Sequence, residues 1–348
     1  MTDDVIMRKG PPGTLPPGTF TVSLDLESYW GVFDKRTVAS YAAHLDGIRH
    51  AVDGMLGLFC RYGVRATWAT VGLLMCSDYD EAAALAPAPA ARPRYDDPRL
   101  SAYPLLARRD RSLARYLFAP DLVERVRQRE GQELATHTFA HVYALEAGMT
   151  PEAFAADLAA AKRVGDARGV SYSSIVFPRN QYDDTTLRVC ASAGLHCYRA
   201  QPQHTLYRPR RDGDQNMLVR AGRLVDAHVP FVDRSVRVTA GGANLVASTA
   251  TAFLRPAGAR SGVADVLQLR RVLAELRRAA RCGTDVHLWW HPHNFGAAPE
   301  HNLERLEVIL RHARALSCTH GLRMMTMAEH TARRMTEHTV WPTTEGTA

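Results

Sequence analysis

The run Thr19-Phe-Thr-Val-Ser-Leu-Asp-Leu-Glu27 ends in two carboxylates with a single leucine between them. Its alternation is that of a β-strand: Phe20, Val22, Leu24 and Leu26 share one face, and Thr21, Ser23, Asp25 and Glu27 share the other. Two acids so placed lie roughly 7 Å apart, and like charges that close resist joint ionisation unless a cation or a proton intervenes. One of the two could hold a metal while the other moves a proton. A second cluster, His137-Thr-Phe-Ala-His141, directly follows a short strand over 133–136. Imidazoles at i and i+4 share one face if the segment turns helically, a spacing suited to a single metal ion. With one carboxylate from the first strand they make a two-histidine, one-carboxylate set that leaves positions open for water and substrate.

Further groups sit at strand ends. The apolar strand 285–290 delivers His291, locked by Pro292, in a position to donate a proton. Phe177-Pro178-Arg179-Asn180-Gln181 places a guanidinium beside a rigid turn, where Arg179 could hold a catalytic carboxylate ionised or serve in a structural ion pair. Trp30, Trp289 and Trp290 could wall a sugar ring or pack in the core.

The elements that must position these groups alternate in type. Strands are expected over 19–27, 64–71, 133–136, 174–177, 196–200, 285–290 and 322–325. Helices are expected over 39–62, 120–128, 151–168, 184–193, 263–281 and 300–316. Such alternation argues for a parallel sheet or a (β/α) barrel, where chemistry gathers at the C-terminal ends of strands. Two stretches, 77–119 and 201–262, read as irregular; the second contains Gly241-Gly242.

The 348 residues are 46% hydrophobic, enough for a large core. The formal net charge of +7 rests on arginine, since Lys9, Lys35 and Lys162 are the only lysines. The arginines form no long basic block, so a nucleic-acid partner is not indicated. Six cysteines without a CxxC pair argue against both a zinc ribbon and a disulfide framework. Met1 to Gly18 is rich in Pro and Gly with no apolar core, and no segment reads as a membrane span, so a cytoplasmic chain is expected.

Taken together, the motifs resemble the NodB-type polysaccharide deacetylases, carbohydrate esterase family four. The stretches that carry the resemblance are Ser23-Leu-Asp-Leu-Glu27, Arg65-Ala-Thr-Trp-Ala-Thr-Val-Gly72, Glu133-Leu-Ala-Thr-His-Thr-Phe-Ala-His141, Phe177-Pro-Arg-Asn-Gln181, Leu288-Trp-Trp-His291 and Met325-Thr-Met-Ala-Glu329. The resemblance implies an α/β fold, a distorted (β/α) barrel of about seven parallel strands spanning 19–336. A flexible segment, 1–18, would precede it and a tail, 337–348, follow it. It implies a divalent metal, zinc first among the candidates, held by Glu27, His137 and His141. Asp25 would be the general base and His291 the general acid. Two departures stand out. The acids of the first motif are separated by Leu26, and Arg179 follows its proline, whereas the family's arginine lies two residues before it, at the place of Val176.

The function so implied is removal of an N-acyl group, acetyl first, from an amino sugar or a sugar-containing biosynthetic intermediate. The alternatives are hydrolysis of a cyclic amide or ureide, as in allantoinase-like proteins, and a non-catalytic carbohydrate-binding relative. The tetrahedral oxyanion could take a backbone N–H from 179–181. Both irregular stretches follow strands and should emerge on the catalytic face. There Arg94, Arg99, Arg208, Arg210, Arg220 and Arg223 would roof the pocket and meet an anionic part of the substrate. The oligomeric state is not legible.

Overall fold

The computed structural model describes residues 17–214, 217–228, 245–258 and 262–339. The Gly241-Gly242 pair, the N-terminal residues to 16 and the tail from 340 lie outside them.

Among the described residues, one sheet of nine strands forms the centre: β1 (Thr19–Leu26), β2 (Ala66–Thr70), β3 (Gln132–Thr136), β4 (Ser174–Ile175), β5 (Cys197–Ala200), β6 (Val246–Thr249), β7 (Ala252–Phe253), β8 (Asp285–Trp290) and β9 (Arg323–Met325). Every pairing is parallel, in the order β6-β5-β4-β3-β2-β1-β8-β7, with β9 beside the start of β1. The two ends of that order are almost continuous in the chain. Residues 246–249 pair with β5 and residues 252–253 pair with β8, so one bent strand serves both edges. Counted that way, seven strands run round a distorted barrel, with β9 as an addition.

All eight residues of β1 are buried, which is what a central strand of a parallel sheet requires. The two faces of the alternation therefore do not divide core from solvent. The apolar set packs outward among the helices, and the polar set lines the barrel interior, where Ser23 meets Arg199 and His287.

The helices surround this sheet: Val38–Asp46, Ile48–Tyr62, Pro120–Arg127, Pro151–Asp166, Asp184–Ser192, Val263–Cys282, Pro299–His320 and Met327–Thr339. The helix expected over 39–62 is two helices broken at Gly47. A Cβ at Gly47 would lie 2.1 Å from the Gly296 carbonyl, so the break lets this corner close against the loop after β8. The stretch 201–262, expected to be irregular, holds the helix Met217–His228 and both β6 and β7. Short, alanine-rich segments between glycines and prolines carried too little periodicity to announce strands whose hydrogen bonds are made to distant partners. The stretch 77–119 is a chain of short helical turns.

Candidate active site and metal centre

Asp25 ends the interior face of β1, and Glu27 follows the strand. Both are buried, at 3% and 4% exposure. Gly31 makes room for the second acid, since a Cβ there would sit 1.9 Å from Glu27 Oε1. The loop after β3 brings His137 and His141 to the same carboxylate. His137 Nε2 lies 3.2 Å and His141 Nε2 2.9 Å from Glu27 Oε2.

The two histidines do not share a helical face, as the i, i+4 spacing had suggested. The segment is a loop in which Thr138 (φ 64°) and His141 (φ 53°) are left-handed. Their convergence is imposed by the surroundings. Asp157 accepts from the Phe139 and Ala140 N–H groups at 2.7 and 3.1 Å, and the 138 and 139 carbonyls accept from Gly72 and Leu73. Apart from Arg109, every non-glycine residue with positive φ among those described (Ser28, Thr138, His141, Arg179, Asn180) flanks this site. Strain concentrated in that way is a mark of functional loops held by their scaffold.

The donor set fits a divalent cation. One donor atom from each of Glu27, His137 and His141 lies within 4.8 Å of the others, all three residues buried. His137 Nδ1 is 2.7 Å from the Val176 carbonyl, which assigns the proton to Nδ1 and leaves the Nε2 lone pair facing Glu27. Burial holds the His141 pKa below its ordinary value despite the pull of Glu27, which favours the uncharged form of this ring. His141 Nδ1 is buried without a partner; the ring is oriented by packing edge-on against Tyr143. Burial by itself would raise the Glu27 pKa, but His291, His137 and His141 outweigh it and hold the carboxyl well below its ordinary range.

Asp25 has a different environment. Arg199, on β5, donates from Nη1 to Oδ1 at 2.5 Å and from Nη2 to Oδ2 at 2.8 Å. The same guanidinium donates to Ser23 Oγ and Asn180 Oδ1 and stacks 4.1 Å over Trp289. A buried carboxylate needs such a partner. Burial pushes the Asp25 pKa up, but the charge and hydrogen bonds of Arg199, with His137 and His291, together outweigh it, and the net effect is a lowered value. Behind this pair His287 bridges Ser23 and Ser248, at 2.8 and 3.0 Å, with its pKa lowered to about 3 by burial.

His291 spans the two acids, its Nε2 being 3.6 Å from both Asp25 Oδ2 and Glu27 Oε1. Its side chain is 24% exposed where those of the acids are 4–5%, so it is the group of this cluster that faces an incoming molecule. His293 lies behind it, 4.0 Å from Glu27 Oε1.

Arg179 does not reach Asp25. It pairs with Asp34 and lies 4.0 Å over the Tyr143 ring that backs His141. The reason is placement: it stands in the turn outside β4 with φ 54°, whereas Arg199 lies on the next strand and faces the interior. Of the anticipated oxyanion donors at 179–181, the Asn180 and Gln181 N–H groups are engaged, closing the turn onto the Phe177 and Pro178 carbonyls. Of the three tryptophans only Trp289 borders this region. Trp30 donates to the Leu117 carbonyl, Trp290 stacks on Phe295, and both are fully buried. Arg199 was missed by the motif reading, although one clue was available: a lone charged residue in an otherwise apolar, buried strand needs a buried partner.

A parallel barrel with carboxylates and imidazoles gathered at the C-terminal ends of its strands has the layout of a barrel enzyme. Residues 41–198 match the family model for polysaccharide deacetylases. That stretch is thus similar to the polysaccharide deacetylases, the family that the motifs had implied. The matched span runs from the first helix to β5; Asp25, Glu27 and His291 lie outside it. No curated protein matches the chain.

Among solved structures it is similar to a Mycobacterium smegmatis protein described as a polysaccharide deacetylase, at 13% identity and a TM-score of 0.56, over 98% of this chain and 99% of that one. It is similar to a GH57-type branching enzyme from Pyrococcus horikoshii at 12% identity and a TM-score of 0.50, over 95% of this chain and 71% of that one. The chitin deacetylase of Colletotrichum lindemuthianum aligns at 11% identity and a TM-score of 0.45, over 90% and 87% of the two chains. At such identities the likeness concerns the fold. That the same barrel serves a branching enzyme shows that the reaction must be argued from the residues.

Proposed function

We propose that this protein is a metal-dependent amide hydrolase that removes a small acyl group, acetyl first, from an amino sugar. The observation that carries the reading is the division of labour between the two acids of β1, Glu27 turned to two imidazoles and Asp25 clasped by Arg199. Glu27, His137 and His141 would hold the cation, and zinc suits a set of one carboxylate and two neutral imidazoles. The chemistry that a cation supplies there is polarisation of the acyl oxygen and a lowered pKa for water.

The remaining steps belong to the chain. Asp25 stays ionised beside Arg199 and accepts the proton of the attacking water on a carboxylate oxygen. His291, at the exposed rim and within reach of both acids, donates a proton to the departing amine nitrogen. Arg199 fixes the orientation of Asp25 and is itself fixed by Asn180 and Trp289. Arg179 acts on neither acid; through Tyr143 it supports the ring of His141.

The test is acetate release from a panel of N-acetylated monomeric and oligomeric amino sugars, with zinc added and with a chelator, for the native chain and Asp25→Asn. Metal-dependent release that falls about a hundredfold or more in the variant is expected. Release undiminished by Asp25→Asn, or hydrolysis of cyclic ureides with none of the sugars, would overturn the reading.

A further inference from the structure

Beside the Asp25–Arg199 pair lies a cavity of about 180 Å³, many times the ~15 Å³ that one water needs. It adjoins the active site through two of its walls. Asn180 accepts from Arg199, and Trp289 carries the Arg199 guanidinium on its face; both also line the cavity. Phe253, another wall, packs against the His291 ring with centroids 5.6 Å apart.

The charge of the lining is one-sided. Arg223, Arg255 and Arg271 contribute to it, and among the described lining residues there is no aspartate or glutamate. The acids that neighbour the cluster stand outside the lining. Glu275 accepts from Arg271 Nε at 2.8 Å, and Asp226 accepts from Tyr207 at 2.6 Å. Donors are left over: Arg255 Nε, Arg271 Nη2 and Gln201 Nε2 are buried with no hydrogen-bond partner, and Arg271 is only 7% exposed. Buried donors are paired in almost all native proteins, and buried charges even more strictly. Several leftover donors on residues of one cavity indicate that the missing acceptor is a ligand.

We propose that the cavity is a phosphate subsite, and that a phosphoryl group of the substrate lies among Arg223, Arg255 and Arg271 while the acyl group lies at Asp25 and His291. The assignment of substrate rests on the deacetylase reading above; the anion site does not. The three guanidinium groups come from three separate elements, the helix 217–228, the segment after β7 and the helix 263–282. Donors arriving from several directions suit a tetrahedral group with several oxygens, whereas one planar carboxylate is satisfied by one guanidinium fork. The substrate class is then a phosphorylated amino sugar in place of a neutral glycan.

Two measurements test this. Calorimetric titration of inorganic phosphate into the full chain should show binding, weakened tenfold or more in Arg223→Gln and in Arg255→Gln, the usual scale for losing a charged hydrogen bond. Both positions are partly exposed, so these variants keep the test open if Arg271→Gln fails to fold; melting curves report folding. In kinetics on N-acetylglucosamine and its 1- and 6-phosphates, kcat/KM should favour a phosphorylated sugar at least tenfold, and that ratio should collapse in Arg255→Gln. Absence of phosphate binding, equal binding of succinate, or binding undiminished in both variants would overturn the subsite. Phosphate binding that depends on the arginines, with no acetate released from any sugar, would overturn the deacetylase reading and leave the subsite standing. Acetate release without phosphate binding would do the reverse.

Discussion

The excursions that follow β2 and β5 are both rich in arginine, but only the second brings arginines to the wall of a cavity beside the site. In the first, the guanidinium groups answer to acids and carbonyls of the same region or the adjacent helix: Arg92 to the Pro87 carbonyl, Arg99 to Asp97, Arg109 to Asp80 and Arg115 to Asp46. In the second, Arg208 and Arg210 lie in a surface groove with Glu146 and Asp214, while Arg223 and Arg255 border a cavity whose described lining has no acid. The side chain of Arg220 is outside the described residues. Arginine content alone therefore does not mark a recognition loop. What matters is whether buried guanidinium donors remain without a partner, as Arg255 Nε does. The anion site proposed above draws on the second stretch, through Arg223 and Arg255.

If the first excursion is scaffold and the second is recognition, variants should separate into those that affect all substrates alike and those that change the choice among them. The largest effect is expected at the centre that both regions share. His137→Ala removes one of three cation donors, and metal content measured by mass spectrometry should fall with activity on every sugar. Asp25→Asn should keep the cation and lower turnover about a hundredfold or more, equally for neutral and phosphorylated sugars. Equal metal loss in both variants would show that Asp25 is itself a ligand.

Arg199→Met leaves Asp25 as an unpaired buried charge, so a loss of about 3–5 kcal/mol in unfolding free energy is expected. Denaturant melts check it, and a change below 1 kcal/mol would show that Asp25 finds another partner. Tyr95→Phe tests the first excursion as scaffold. The Tyr95 hydroxyl accepts from the Tyr143 N–H at 2.8 Å, and its removal should cost about 1–3 kcal/mol while rates on all substrates fall in proportion. A change in the preference between neutral and phosphorylated sugars would break the comparison. The smallest effect is expected at Arg99, paired with Asp97 in solvent: Arg99→Gln should leave both melting temperature and substrate preference unaltered.

Much of the site was legible because its parts are local. Strand alternation put Asp25 and Glu27 on one face, and the interior of β1 is polar for that reason. Strand ends announced His137 and His291, and the structure brings both to the acids. The i, i+4 histidines were read from a helical spacing that the loop does not have. Their meeting depends on Asp157 and on carbonyl contacts to the start of the 72–75 turn, neither of which periodicity reports. The strands β6 and β7 were missed for a related reason, since their pairing lies with β5 and β8 and not within the segment.

The sequence by itself determined the supply of chemistry: which donor types exist, that strands present them at their C-terminal ends, and that strands and helices alternate as a parallel barrel requires. The tertiary structure decided the partners. Asp25 took Arg199, 174 residues away, and not Arg179, because β5 curves round the barrel to face β1 across the interior while the turn after β4 points its guanidinium to Asp34. Curvature and strand register set which side chains meet across a barrel, and no local pattern encodes either. The same holds for the cavity. Arg223, Arg255 and Arg271 are far apart in the chain, and only the folding of three separate elements against one another gathers their charge in one place.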